Sequence, residues 1–191
     1  MSEQDTPQRH VVVVFDGHDA GARTYAEWLA EETGGAIGTV DEAADPVGPL
    51  SGDLLVADTV IVVTALGADG ALGGATFVLD NWDYLQDFGR RVAIAVVGMS
   101  QVFDYDRLRA IEKTIDAEKM TQLKFFQLRG KLDTASLGMR DKIALRAQVA
   151  ALKARPKRTP EEQAMLDNGG NFDFTHRKSL RPLLRWVREE S

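Results

Sequence analysis

The stretch Val11-Val-Val-Val-Phe15-Asp-Gly-His-Asp-Ala-Gly-Ala22 decides the fold. Its first five residues are apolar and mostly β-branched, the pattern of a strand buried on both faces. The next seven are small, glycine-rich and polar, and Arg23-Thr-Tyr-Ala-Glu-Trp-Leu-Ala-Glu-Glu32 then reads as a helix. A strand, a tight loop and a helix start together build an anion-binding position, because the first helical N–H groups lack partners and point at whatever precedes them.

The alternation continues outward. Gly34-Gly35 closes the helix in the manner of a glycine C-cap, and Ala36-Ile-Gly-Thr-Val40 follows as a short second strand. Residues 41–57, rich in Asp, Pro and Gly, read as a loop with one weak helix. Thr59–Val63 and Val92–Val97 are buried strands, and Leu123–Leu128 is the last strand. Between them, Leu72–Phe88 reads as a helix with Phe77, Leu79, Trp82 and Leu85 as apolar contacts. Asp106–Glu118 reads as another, with Leu108, Ile111 and Ile115 at helical spacing. Strands alternating with helices imply right-handed crossovers and a parallel sheet covered on both faces. Five strands predict a three-layer flavodoxin-like α/β sandwich in the order 2-1-3-4-5. Its ligand crevice lies beyond the C-terminal strand ends, bordered by loops 16–22, 64–71 and 98–105.

A helical C-terminal extension follows. Arg129–Asp133 reads as a turn, Leu137–Arg155 as a helix rich in Ala, Leu, Lys and Arg, and Pro156–Pro160 as its break. Thr159-Pro-Glu-Glu162 has the form of a capping box with Pro at the first helical position. Asn168-Gly-Gly-Asn171 is a loop, and Ser179–Glu190 a closing helix with Leu180, Leu183, Leu184 and Val187 on its apolar face. The expected organisation is a single domain over 1–191, with 129–178 as a basic helical insertion within it.

Composition bounds the function. The chain has 191 residues, 44% of them hydrophobic and 27% charged, as a folded globule requires. The absence of Cys removes disulfides, thiolate metal sites and thiol nucleophiles, and fits a cytoplasmic location. The polar start Met1-Ser-Glu-Gln-Asp-Thr6 lacks the pattern of a signal peptide, and no apolar run suits a membrane span. Of the 23 Lys and Arg, only Arg9, Arg23, Arg90 and Arg91 lie before residue 101. The acidic first half argues against nucleic acid as a partner. The basic second half fits an acidic partner or an anionic membrane surface, with helix 137–155 as the candidate peripheral contact. In that helix Leu145, Val149 and Leu152 form one stripe and Met139, Ile143 and Ala150 another, a distribution expected to pack between elements.

Several segments carry a family likeness. They are Tyr25-Ala-Glu-Trp-Leu-Ala-Glu-Glu32, Phe126-Gln-Leu-Arg-Gly130, Thr159-Pro-Glu-Glu-Gln-Ala-Met-Leu166, Phe172-Asp-Phe-Thr175 and Leu180-Arg-Pro-Leu183. With the basic helix, they resemble the flavodoxin-domain proteins related to menaquinone-dependent protoporphyrinogen dehydrogenase. The resemblance implies an FMN-binding flavoprotein acting in electron transfer, and an oxidoreductase if it is an enzyme. Its counterpart would be a quinone, a porphyrinogen or a redox partner protein. The implied cofactor contacts are Gly17, His18, Asp19, Ala20, Gly21 and Ala22, then Ala65, Leu66, Gly67, Ala68 and Gly70, then Ser100 and Phe103. They act chiefly through loop backbones, and no catalytic side chain is assigned.

The chain departs from the family pattern at these loops. The family's first loop resembles Ser/Thr-x-Thr-Gly-x-Thr, whereas Gly17–Ala22 holds no hydroxyl and Thr24 lies inside the helix. Asp16 and Asp19 repel a dianionic phosphate by on the order of 1 kcal/mol or more, with His18 or Arg23 as possible offsets. Ala68 stands nearest the usual ring-flanking aromatic, which leaves Phe103 or Tyr105 as the ring platform. A degenerate flavodoxin-fold binding module without flavin is therefore the alternative. A second alternative is cobalamin binding, since Asp16-x-His18-x-x-Gly21 resembles the motif in which a histidine ligates cobalt and an aspartate orients it. Gly98-Met99 stands where that family has a glycine pair. Asp16, His18, Asp19 and Asp69 are also weighed as a hard-cation cluster. Thr64 stands where phosphotransfer would need an aspartate, and no G-x-x-x-x-G-K-[ST] loop is present.

Overall fold

The computed structural model describes residues 9–66, 72–98, 105–135 and 137–189. The chain runs β1 (Val11–Phe15), α1 (Ala20–Thr33), β2 (Ala36–Thr39), α2 (Val40–Ala44), α3 (Ser51–Val56) and β3 (Thr59–Ala65). It continues through α4 (Gly73–Asp80), α5 (Trp82–Gln86), β4 (Arg91–Gly98), α6 (Tyr105–Thr114), α7 (Ala117–Met120) and β5 (Lys124–Arg129). The tail holds β6 (Lys131–Leu132), α8 (Met139–Ala154), α9 (Pro160–Asp167), β7 (Phe172–Asp173) and α10 (Arg181–Arg188).

The five long strands form one parallel sheet in the order β2-β1-β3-β4-β5, the predicted topology. Side chains alternate across it. Val12, Val14, Val60, Val62, Ile94 and Val96 pack with Leu50, Leu54, Phe77, Leu85, Ile111 and Ile115 on one face. Val11, Val13, Phe15, Ile61, Val63, Ala95 and Val97 pack on the other with Tyr25, Ala26 and Leu29 of α1 and Leu183, Leu184 and Val187 of α10. The tail thus supplies part of the second helical layer.

The structure corrects several sequence expectations. Residues 41–57 hold two short helices rather than one, the first opened by a complete Thr39–Glu42 capping box. The helix expected over 72–88 breaks at Asn81, whose main-chain and side-chain N–H groups both donate to the Phe77 carbonyl. The helix expected over 106–118 stops at Thr114, because Asp116 caps a new turn by accepting the Lys119 N–H at 2.9 Å. Lys131–Leu132, read as part of a turn, pairs antiparallel with Phe172–Asp173. The Thr159–Glu162 box forms as read. Leu152 is buried with Met165 near the α8–α9 junction, whereas Met139 and Ile143 are exposed, so only one of the two α8 stripes packs. Among the described residues, no helix is long and apolar enough to cross a membrane.

One phenol fastens the tail to the core. The fully buried Tyr25 donates its hydroxyl to the Arg129 carbonyl at 2.9 Å and accepts the His176 N–H at 3.1 Å. Each such bond contributes about 1 kcal/mol net, and more when its loss leaves a buried partner unmet. Tyr25→Phe is therefore expected to lower unfolding free energy by about 1–2 kcal/mol in a denaturant titration. It should also speed amide exchange at His176, and unchanged exchange there would remove this fastening role.

Candidate functional site

The crevice lies where the strand order reverses, beyond the C-terminal ends of β1 and β3. β1 ends at Phe15, and Asp16 N–H still donates to the Val63 carbonyl at 3.0 Å. The chain then turns, with Asp19 N–H on the Asp16 carbonyl, and enters α1 through Arg23 N–H on the Asp19 carbonyl at 3.0 Å. This places Asp19 at the N-cap. Its carboxylate accepts the Ala22 N–H at 2.6 Å, a short charge-assisted cap.

The consequence is chemical. The helix N–H groups that would cradle an anion already face one, carried by the chain itself. Burial pushes the Asp19 carboxyl above its ordinary value, and Asp16 adds to the effect. The Ala22 and Gly21 N–H groups and the Lys131 charge pull the other way. Lys131 arrives through β6, whose main chain closes on α1 at Gly21. A Cβ on Gly21 would stand 3.1 Å from Lys131 N and 3.1 Å from the Asp19 carboxylate.

Asp16 occupies the neighbouring corner. One oxygen accepts the His18 main-chain N–H at 3.2 Å, and the other lies 3.0 Å from where a Cβ on Gly73 would stand, in the first turn of α4. The Gly74 N–H of that turn is met by the buried Thr64 hydroxyl at 2.9 Å. Two helix starts therefore converge on the crevice, and each is faced by a carboxylate.

Of the expected contacts, Gly17–Ala22 line the turn at the β1 end, with His18 exposed and Gly21 and Ala22 buried against the core. Ala65 ends β3, and Leu66 donates its N–H to the Val97 carbonyl and bridges to Leu72. Gly67, Ala68, Gly70, Ser100 and Phe103 lie outside the described residues, as does Asp69. Tyr105 is the first residue of α6. Thr24 turns its hydroxyl onto the Ala20 carbonyl, as its place inside the helix implies. Arg23, weighed as an offset to the two aspartates, has its guanidinium 5.3 Å from the Phe15 ring centroid instead. Lys131 is the cation beside Asp19, and the sequence signals it only by its place just after the last strand. Asp16 meets the main-chain N–H of His18, the histidine that the cobalamin motif would place on cobalt. Among the described residues, no three acidic or histidine side chains cluster as a metal site.

The resemblance implies FMN, whose phosphate would sit at the start of α1. With the Asp19 carboxyl already seated on the Ala22 N–H of the cap and Asp16 beside it, the residues there do not fit a dianionic phosphate.

Strand order and crevice together define an α/β protein of flavodoxin-like fold. No protein-family model matches the chain, and no curated protein matches it. Among solved structures, the chain is similar to the Trp repressor binding protein from Bacillus subtilis. The two share 16% identity over 78% of this chain and 99% of that one, with a TM-score of 0.46. A flavodoxin, WrbA-like protein from Agrobacterium tumefaciens shares 15% over 77% and 99%, with a TM-score of 0.47. A flavodoxin mutant from Pseudomonas aeruginosa shares 13% over 76% and 97%, with a TM-score of 0.38. The fold assignment rests on strand order and register rather than on these scores.

The linkage sign for Asp19 follows from its raised value. Folded, the group holds its proton more tightly than unfolded, so its contribution to stability is full below pH 3.8 and fades as pH rises through the folded value. Asp19→Asn keeps a capping oxygen and cannot ionise. The stability of wild type relative to Asp19→Asn should therefore fall from pH 4 towards neutrality in paired denaturant titrations at each pH. A constant difference would contradict the burial of an ionisable cap.

Proposed function

We propose that this protein is a non-catalytic binding module on a flavodoxin-like scaffold. The observation that carries the reading is Asp19, whose carboxylate takes the amide position that a flavin phosphate would need. The main chain at Lys131 closes beside it on α1. The family likeness of the tail is then a likeness of scaffold, in which the segments after Phe126 cover the sheet and meet the start of α1.

The second reading is an FMN-dependent electron-transfer protein, quinone- or porphyrinogen-linked. It is favoured by the strand order, which opens the crevice beside α1, and by the resemblance of the tail. It requires Asp19 to leave the cap or take up a proton.

FMN fluorescence separates the two. Wild type at neutral pH should be colourless and leave added FMN unquenched. Asp19→Thr removes one repelling charge and restores a hydroxyl, and should bind FMN about tenfold more tightly or better. Yellow protein on purification, or wild-type quenching equal to that of Asp19→Thr, would establish the second reading.

We further propose that α8 makes the peripheral membrane contact. Met139 and Ile143 are exposed one turn apart, with Arg146 exposed a turn further on. Flotation with phosphatidylglycerol vesicles should fall several-fold in a Met139→Ser/Ile143→Ser variant. Equal flotation of both proteins would discard the contact.

A further inference from the structure

The closing helix has two faces with different obligations. Its inner face, Leu183, Leu184 and Val187, is buried against the sheet. Its C-terminal carbonyls at Trp186 and Glu189 accept the Arg91 guanidinium, which lies 4.2 Å from the Trp186 ring centroid. The helix is thus anchored on its inner side, and its outer face, with Arg181, Arg185 and Arg188, is exposed.

That outer face is built against local electrostatics. Arg181 is the first residue of α10, Lys178 precedes it by about a turn, and the first turn holds no acidic residue. Cations at a helix start oppose its dipole. Arg181 and Arg185 are also a like-charge pair at i and i+4, which disfavours the helix further. Arg177 is satisfied by Glu31 at 2.8 Å and Glu32 at 2.9 Å, and Arg188 reaches Glu32 at 3.9 Å. Among the described residues, no carboxylate pairs with Lys178, Arg181 or Arg185. These three line an open groove of about 930 Å³ between the end of α1 and α10, with Leu184 at its floor.

We infer that this groove is a docking surface for an acidic segment of a protein partner. The surface is distinct from the crevice and stands whichever reading of the crevice holds. Along α10 the stripe from Arg181 to Arg188 spans roughly 10 Å, which matches carboxylates spaced along one short segment. Guanidinium forks pair with carboxylates in two-point geometry. Lipid is the poorer occupant, because an interfacial contact needs protruding apolar side chains and Leu184 is only 8% exposed. Nucleic acid is poorer still, since none of the residues lining the groove is a Phe, Tyr or Trp on which a base could stack. The area is small, so the interaction is a weak, fast one steered by charge.

The test is fluorescence anisotropy with a fluorescein-labelled Asp/Glu-rich peptide and the full chain at low salt. Saturable binding is expected, weakened about five- to tenfold by Arg181→Gln/Arg185→Gln and by raised salt. Lys124→Gln/Lys157→Gln removes the same charge outside the groove and should leave peptide affinity within about twofold. Both arginines are exposed, so an unchanged thermal melt certifies that the first variant is folded. The proposal fails if binding is not saturable or if the two double variants lose affinity equally. It also fails if Arg181→Gln/Arg185→Gln loses flotation with phosphatidylglycerol vesicles while keeping peptide affinity, which would assign the groove to lipid.

Discussion

A parallel sheet has no face to spare for water. Every strand of this one except the short β2 and the terminal β5 is buried on both sides over most of its length, so two helical layers must be built around it. One layer comes from the crossovers between β2 and β5. The other begins with α1 alone, and α10 must return from the end of the chain to complete it. The tail is therefore part of the core. Its path is constrained at both ends, by the buried leucines of α10 and by the Arg129–Lys131 segment leaving β5. Tyr25 sits between these ends and bonds to the main chain on each side.

That path has a cost at the crevice. Leaving β5, the chain bonds Gly130 N–H to the Gly98 carbonyl and then runs against Gly21. The space an incoming ligand would use at the start of α1 is narrowed by main chain on one side and filled by Asp19 on the other. An aspartate N-cap stabilises a helix by about 1 kcal/mol, and desolvation takes back part of that gain, which is why the Asp19 proton is held more tightly than usual. A serine or threonine would cap as well and leave the dipole free for an outside anion. The choice of aspartate thus separates the cap's structural role from the ligand-binding role that usually accompanies it in this position.

The sheet was legible because strands buried on both faces carry few polar positions and punctuate the sequence with apolar runs, as Val11–Phe15 and Val92–Val97 do. The capping box at Thr159 was legible because its two bonds join residues three apart. What escaped the reading depends on contacts between distant residues or on competing local bonds. β6 exists only because Leu132 meets Phe172, a pairing with no signal in a two-residue segment. Asn81 breaks a helix whose apolar spacing continues through it, because its side chain adds a second donor to the Phe77 carbonyl that its own main-chain N–H already meets. At the site, the acidity of the loop was readable from Asp16 and Asp19. The approach of Lys131 was not, because it depends on how the chain turns at Gly130.

The same separation of roles holds on α10. The sheet fixes which residues face inward and how the helix is anchored, and Leu183, Leu184, Val187 and the Arg91 cap meet those demands completely. None of them requires arginine at 181 or 185. A sequence selected for stability alone would place an acid at the helix start and alternate charges down the exposed face. Residues 1–100 carry 16 of the 29 acidic side chains, yet among the described ones only Glu31 and Glu32 are spent here, Glu31 on Arg177 and Glu32 on Arg177 and Arg188. Where a local rule is broken without a compensating contact inside the chain, the compensation is sought outside it. Among the described residues the crevice has found its anion internally, in Asp19, and Arg181 and Arg185 on the outer face of α10 have not.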